Sequence, residues 1–317
     1  MTARSRIHAH IRAVMQETGE DDPRTAVRTK ARAVIEQFRS AFDARPPFNL
    51  DALASFRGLR HSDDAPKFSK DSEIAPQADG QVVLRVNRDR PLTRQRFSIG
   101  HEIGHTLFPE YQVTVRCRKA DDRDWADPEN LLETLCDVAA SEFLFPEPWF
   151  HERIATMHLS ASEILRLASD YQASPDATVR RLVEAHVAPL AAVFFTWKLK
   201  PTEIRQRAND RSQLSMFADD PIPEPTPKLR VDYAILSDAF AREFGNHIPK
   251  DKSIPCEGPI YASSMSQEPC DGTSFLDLGT VTGNVTVNAI PIYTQEQLVG
   301  PTGGVSVVAV VQPLQNR

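Results

Sequence analysis

The stretch His101-Glu102-Ile103-Gly104-His105 holds the residue types and spacing in this chain best suited to chemistry. On a helix the two histidines stand one turn apart on one face. There two imidazoles can grip a single divalent cation while Glu102 leans toward a water at the same place. Phe97, Ile99, Ile103 and Leu107 can anchor such a helix in a core. Gly100 and Gly104 are poor helix formers, each costing about 1 kcal/mol against Ala, so they imply close packing beside the motif. Pro109 limits the helix after the second histidine.

Two histidines do not complete a zinc site, which normally uses three protein ligands and leaves a fourth position to water. A second helix follows, opened by Pro128 and ended by Pro146 and Pro148. Within it Glu133 and Asp137 are four apart and share a face, with Ala139 and Ala140 leaving room for a neighbouring helix. Alone, two such carboxylates read as a solvated helix face. Behind the histidine motif they read as a third ligand, Glu133, and an acceptor, Asp137, that holds a ligand histidine by its other ring nitrogen.

The run R-F-S-I-G-H-E-I-G-H-T-L-F, followed some thirty residues on by E-T-L-C-D-V-A-A-S-E-F-L-F-P, resembles the ImmA/IrrE family of bacterial metallopeptidases. The resemblance is strong over about residues 80 to 150 and fades on either side. It implies His101 and His105 as histidine ligands, Glu102 as general base, Glu133 as carboxylate ligand and Zn2+ as the metal. The chain departs from the family pattern at Gly100, where Ala is usual, at Asp137, where Asn is common, and at Ala139, where Phe is common. The implied substrate is a helix-turn-helix transcriptional repressor, whose cleavage would release stress or phage-defence genes.

Cys117 lies between the two ligand helices among Arg116, Arg118 and Lys119, whose charges favour the thiolate, a strong zinc ligand. It is a candidate inhibitory metal ligand, a cysteine switch. Similarity to the CapP-type members of the family, which accompany anti-phage (CBASS) operons, strengthens that reading; an incidental loop cysteine is the alternative. Arg85, Arg88, Arg90, Arg94 and Arg96 crowd the approach to the motif, and with the basic residues around Cys117 they suggest contact with single-stranded DNA or an acidic partner. A solvated arginine-rich face is the competing reading.

With 41% hydrophobic and 25% charged residues and a net charge of -6, the composition is that of an ordinary globular protein. No 18-residue apolar run marks a membrane span. The N-terminus lacks the apolar core of a secretory signal, so a cytoplasmic location is expected. Four cysteines are too few for a disulfide scaffold, and Cys136 reads as a small buried residue.

The expected architecture is α+β: a mainly helical zincin-like peptidase domain with a small sheet over residues 1–200, a Pro-rich linker over 201–228, and a small GAF-like sensor domain over 229–317. Residues 63–80 read as a mobile surface loop and 81–87 as a strand whose free edge could take an extended substrate segment, unless it is internal. Residues 191–199 read as a strand closing the first domain, 231–244 as one helix, and 281–287 and 305–311 as strands. Residues 161–186 resemble a helix-turn-helix, which leaves open a DNA-binding regulator beside the endopeptidase reading; a structural pair of helices is the stronger alternative. A catalytically silent binding module on the same fold is the third.

Overall fold

Helix α2 (Pro23–Phe42) begins where Asp22 and Pro23 predict a start: the Asp22 carboxylate accepts from Thr25 N, and the proline ring occupies the first turn. The computed structural model describes residues 3–62, 70–109, 111, 116–117, 128–206, 226–292 and 305–314. They divide into two units, Met1–Arg153 with Leu167–Ala177, and Ile154–Arg166 with Thr178–Arg317.

The first unit holds α1 (Ala3–Thr18), α2, α3 (Leu50–Phe56), β1 (Leu59–His61), β2 (Ser72–Pro76), β3 (Val82–Val86), α4 (Leu92–His105), β4 (Arg116–Cys117) and α5 (Pro128–Leu144). α6 (Trp149–Ala155) follows at its edge. The architecture is mixed α and β, mainly helical with one small sheet, as expected. α2 buries the stripe Ala26, Val27, Ala31, Val34, Ile35 and Phe38 and packs on α1 and α5. Arg32 of α2 reaches the fully buried Glu142 of α5 at 2.9 Å and Glu147 at 2.6 Å, so the buried Glu142 charge is paired.

The sheet order is β1-β3-β2-β4. β3 is therefore internal, parallel to β1 and antiparallel to β2, and its main-chain groups are used on both sides. This corrects the reading of 81–87 as a strand with a free edge. The expected loop over 63–80 is corrected in part: residues 72–76 form β2, because Ile74 and Ala75 are buried and the strand pairs on both sides, with β3 and β4. Residues 63–69 lie outside the described residues.

From Ser98 to His105 every residue of α4 is buried, the pattern of a helix enclosed on all sides. It stops one residue past the second histidine, at Thr106. There Arg57 donates to Thr106 Oγ1 and to its carbonyl at 3.0 Å each, supplying partners to the helix end.

The second unit is built on a five-stranded, wholly antiparallel sheet ordered β6-β5-β9-β8-β7. Its strands are β5 (Ala191–Lys198), β6 (Lys228–Leu236), β7 (Cys270–Asp277), β8 (Thr282–Ile292) and β9 (Ser306–Pro313). Between β6 and β7 run α10 (Asp238–Phe244) and α11 (Gly258–Ser266), and residues 201–206 are helical (α9). Alternate residues of three strands, Val193 and Phe195, Val285 and Val287, Ala309 and Val311, join Phe240 and Ile260 in one apolar core, so α10 and α11 cover that sheet face. β5, expected to close the first domain, pairs with β6 and β9 in this sheet instead. The single helix expected over 231–244 divides: Val231, Tyr233 and Ile235 sit in β6, and Ser237 caps a helix that begins only at Asp238.

Residues 161–186 do form two helices, α7 (Ala161–Asp170) and α8 (Pro175–Ala185). α8 buries Thr178, Val179, Arg181, Leu182 and Val183, and its Arg180 lies over the Phe194 and Tyr233 rings at 4.9 and 5.0 Å. That packing fits the structural alternative for the pair, while Ser162, Arg166, Ser169 and Asp170 of α7 are exposed. Among the described residues no helix is long and apolar enough to cross a membrane.

Candidate metal centre

α4 and α5 approach closely because glycine faces alanine between them. A methyl group added at Gly100 would meet Ala140 at 3.3 Å. One at Gly104 would meet the Ala139 side chain and the Cys136 backbone at 3.1 Å. This contact lays the second and third turns of α5 against the histidine motif.

His101, Glu102 and His105 are all buried. His101 Nε2 lies 3.0 Å from Glu133 Oε2, and His105 Nε2 lies 3.7 Å from Glu133 Oε1, so both imidazoles point one ring nitrogen at the same carboxylate. Each opposite ring nitrogen is met by a residue from the next turn of α5. His101 Nδ1 is 2.8 Å from Asp137 Oδ1, and His105 Nδ1 is 3.3 Å from Cys136 Sγ. Glu102 Oε1 accepts a hydrogen bond from Ser72 Oγ at 2.7 Å, and its Oε2 lies 3.9 Å from His105 Nε2.

Burial disfavours charge on His101, but hydrogen bonds and charges from Asp137 and Glu133 outweigh it and push its pKa up to about 9. Burial likewise disfavours charge on Glu133, and the adjoining histidines more than compensate, so its pKa is lowered. Positive charge at His101 is thus favoured by the two carboxylates that face it.

Two imidazole nitrogens and one carboxylate are a donor set that suits zinc with one position left open. His101, His105 and Cys136 also form a group whose ligand atoms all lie within 4.8 Å of one another. Cys136 Sγ meets His105 at Nδ1, however, on the far side of the ring from the Nε2 that faces Glu133. The residues fit a metal held by His101, His105 and Glu133, with Asp137 and Cys136 orienting the rings from behind.

The predicted site residues His101, Glu102, His105, Glu133 and Asp137 come together. Cys117 is described only in its backbone, which pairs with Glu73 of β2; its side chain lies outside the described residues, as do those of Arg116, Arg118, Lys119 and Arg123. The arginines ahead of the histidine motif are engaged within the unit. Arg85 pairs with Glu73 at 2.7 Å, Arg88 with Asp51 at 3.4 Å, and Arg90 and Arg94 with Asp71 at 2.9 and 2.7 Å; buried Arg96 donates to Phe48 O. Local carboxylates offset the charge of Arg85, Arg88, Arg90 and Arg94, part of the positive excess on which contact with single-stranded DNA was expected.

Ser72 and Cys136 are the site residues that sequence reasoning missed. Cys136 stands one position from Asp137 on the ligand helix, a placement that could have marked it; Ser72 has no such mark.

Residues 55–183 match the family model described as the IrrE N-terminal-like domain, of the peptidase family M78. The chain is 26% identical over 189 residues to the radiation response metalloprotease IrrE of Deinococcus radiodurans; the match covers 59% of this chain and 55% of that protein, about half its length. Its fold is like that of a solved structure, a Mycobacterium tuberculosis transcriptional regulator, with a TM-score of 0.51 at 13% identity, covering 96% of this chain and 80% of the other. From Ser72 to Asp137 every residue of the centre falls inside the matched segment, so residues 55–183 are similar to the IrrE N-terminal-like peptidase family and bring with them the likeness to a metalloprotease.

Proposed function

We propose that the protein is a zinc endopeptidase that cuts a helix-turn-helix transcriptional repressor and thereby releases stress or phage-defence genes. The observation that carries this reading is the convergence of His101 Nε2 and His105 Nε2 on the two oxygens of Glu133, with the Glu102 carboxylate beside them. His101, His105 and Glu133 would hold the metal. Zinc in that place supplies Lewis acidity toward a substrate carbonyl.

The remaining chemistry belongs to the chain. Glu102 takes a proton from the attacking water at Oε2, the oxygen on the His105 side, and later gives it to the leaving amine nitrogen. Asp137 holds the proton of His101 on Nδ1, which leaves Nε2 as the ligand atom. Burial of Glu102 keeps bulk water away from the carboxylate.

The inhibitory role of Cys117 belongs to the same proposal. Its support is the pairing of the Cys117 backbone in β4 with Glu73 of β2, the neighbour of the Ser72 that hydrogen-bonds Glu102. A sensing, GAF-like role for the second unit rests on its separate antiparallel sheet and core. A trigger by single-stranded DNA has no support from Arg85, Arg88, Arg90 or Arg94, which are engaged in ion pairs.

The test is incubation of the zinc-loaded full chain with the repressor encoded beside its own gene. Zinc-dependent cleavage by Cys117→Ala, which frees the position the thiolate would take, and none once Glu102→Gln is added, is the expected result. Unchanged cleavage by the double variant sinks the mechanism.

A further inference from the structure

We infer that Ser72 is the positioning residue for Glu102, and that an arginine latch at the mouth of β2 sets it there. The inference rests on the peptidase reading of the site. Ser72 and Glu102 are both fully buried, and the 2.7 Å hydrogen bond between them joins the first residue of β2 to the helix that carries the histidines. A buried carboxylate with a polar donor on one oxygen is confined to one rotamer and to one presentation of the other oxygen. The donor fixes Oε1, and Oε2 is the oxygen turned toward His105 Nε2.

The placement of Ser72 follows from its neighbour. The buried Asp71 carboxylate takes Arg90 at 2.9 Å and Arg94 at 2.7 Å, and Arg94 stands in the first turn of α4, about two turns before Glu102. The Asp71 carbonyl accepts from Asn87 N at 2.9 Å, and the Asn87 side chain donates to Lys70 O at 3.1 Å. The mouth of β2 is therefore tied both to the end of β3 and to the start of α4. Ser72 follows Asp71 directly and opens β2, so holding Asp71 fixes the point at which the strand begins and from which the Ser72 hydroxyl reaches Glu102 of α4. The arginine cluster ahead of the motif thus acts in part as a brace for the proton-transfer group.

The readout is independent of any substrate: calorimetric titration of the zinc-loaded full chain with acetohydroxamate, a metal-binding probe whose hydroxyl proton is accepted by a neighbouring base. Ser72→Ala should weaken acetohydroxamate roughly ten-fold, the loss of one hydrogen bond to a charged group, with zinc affinity unchanged. Ser72→Thr, which keeps the hydroxyl, should restore most of the affinity. If Glu102→Gln weakens the probe and Ser72→Ala does not, the role of Ser72 is overturned while the site reading stands. Loss of zinc in Ser72→Ala would make its role structural and overturn the inference equally. If Glu102→Gln leaves the probe unaffected, the assignment of Glu102, and with it the peptidase reading, fails.

Discussion

Cys136 Sγ lies 3.3 Å from His105 Nδ1, across the imidazole from the nitrogen that faces Glu133. The sulfur therefore supports the ring from behind. Cobalt-loaded Cys117→Ala protein is predicted to show no sulfur-to-cobalt charge-transfer band; such a band in that variant would make Cys136 a ligand. Cys136→Ala should weaken zinc roughly ten-fold, as loss of a supporting partner does, and Cys136→Ser should hold it closer to the wild type.

The helix contact that builds the centre is unequal at its two glycines. Gly104→Ala presses a methyl group on the Cys136 backbone and the Ala139 side chain at 3.1 Å. It should cost about 1–3 kcal/mol in urea unfolding, because backbone cannot move aside. Gly100→Ala meets Ala140 at 3.3 Å, and the gain in helix propensity, about 1 kcal/mol, offsets much of the strain. Its unfolding midpoint should stay close to that of the wild type, and equal losses at the two positions would contradict this account of the contact.

The ligand helices were legible because helical spacing alone puts His101 with His105, and Glu133 with Asp137, on shared faces. Gly100 and Gly104 announced the close contact for the same reason. Ser72 was not legible: one serine in a polar stretch has no periodicity, and its partner is thirty residues away in sequence. Isolated strand patterns at 81–87 and 191–199 showed that strands exist but not which neighbours they take, since register and pairing are set by the rest of the sheet. The arginines before the histidine motif were legible as charge, while Asp51, Asp71 and Glu73, which pair with them, were not legible as partners.

Tyr171 gives the first unit an alkaline limit. Burial among Phe145 and Phe150 is the main cause that raises its pKa from 10.0 to about 12; Arg153 opposes the shift, and Asp170 and Glu152 add to it. Between those values the folded state keeps a proton that the unfolded state releases, so stability falls as pH rises through that window. Tyr171→Phe should flatten the decline of the urea midpoint between about pH 10 and 12, while leaving the slope below about pH 9 unchanged. An unaltered alkaline slope would assign the decline to other groups.

The central claim is that His101, His105 and Glu133 together hold one metal, and equilibrium dialysis against zinc tests it most directly. The wild type should bind one zinc per chain, and Glu133→Ala should bind it more weakly by well over the roughly ten-fold expected of a supporting residue. Equal zinc affinity in the wild type and Glu133→Ala would contradict the account.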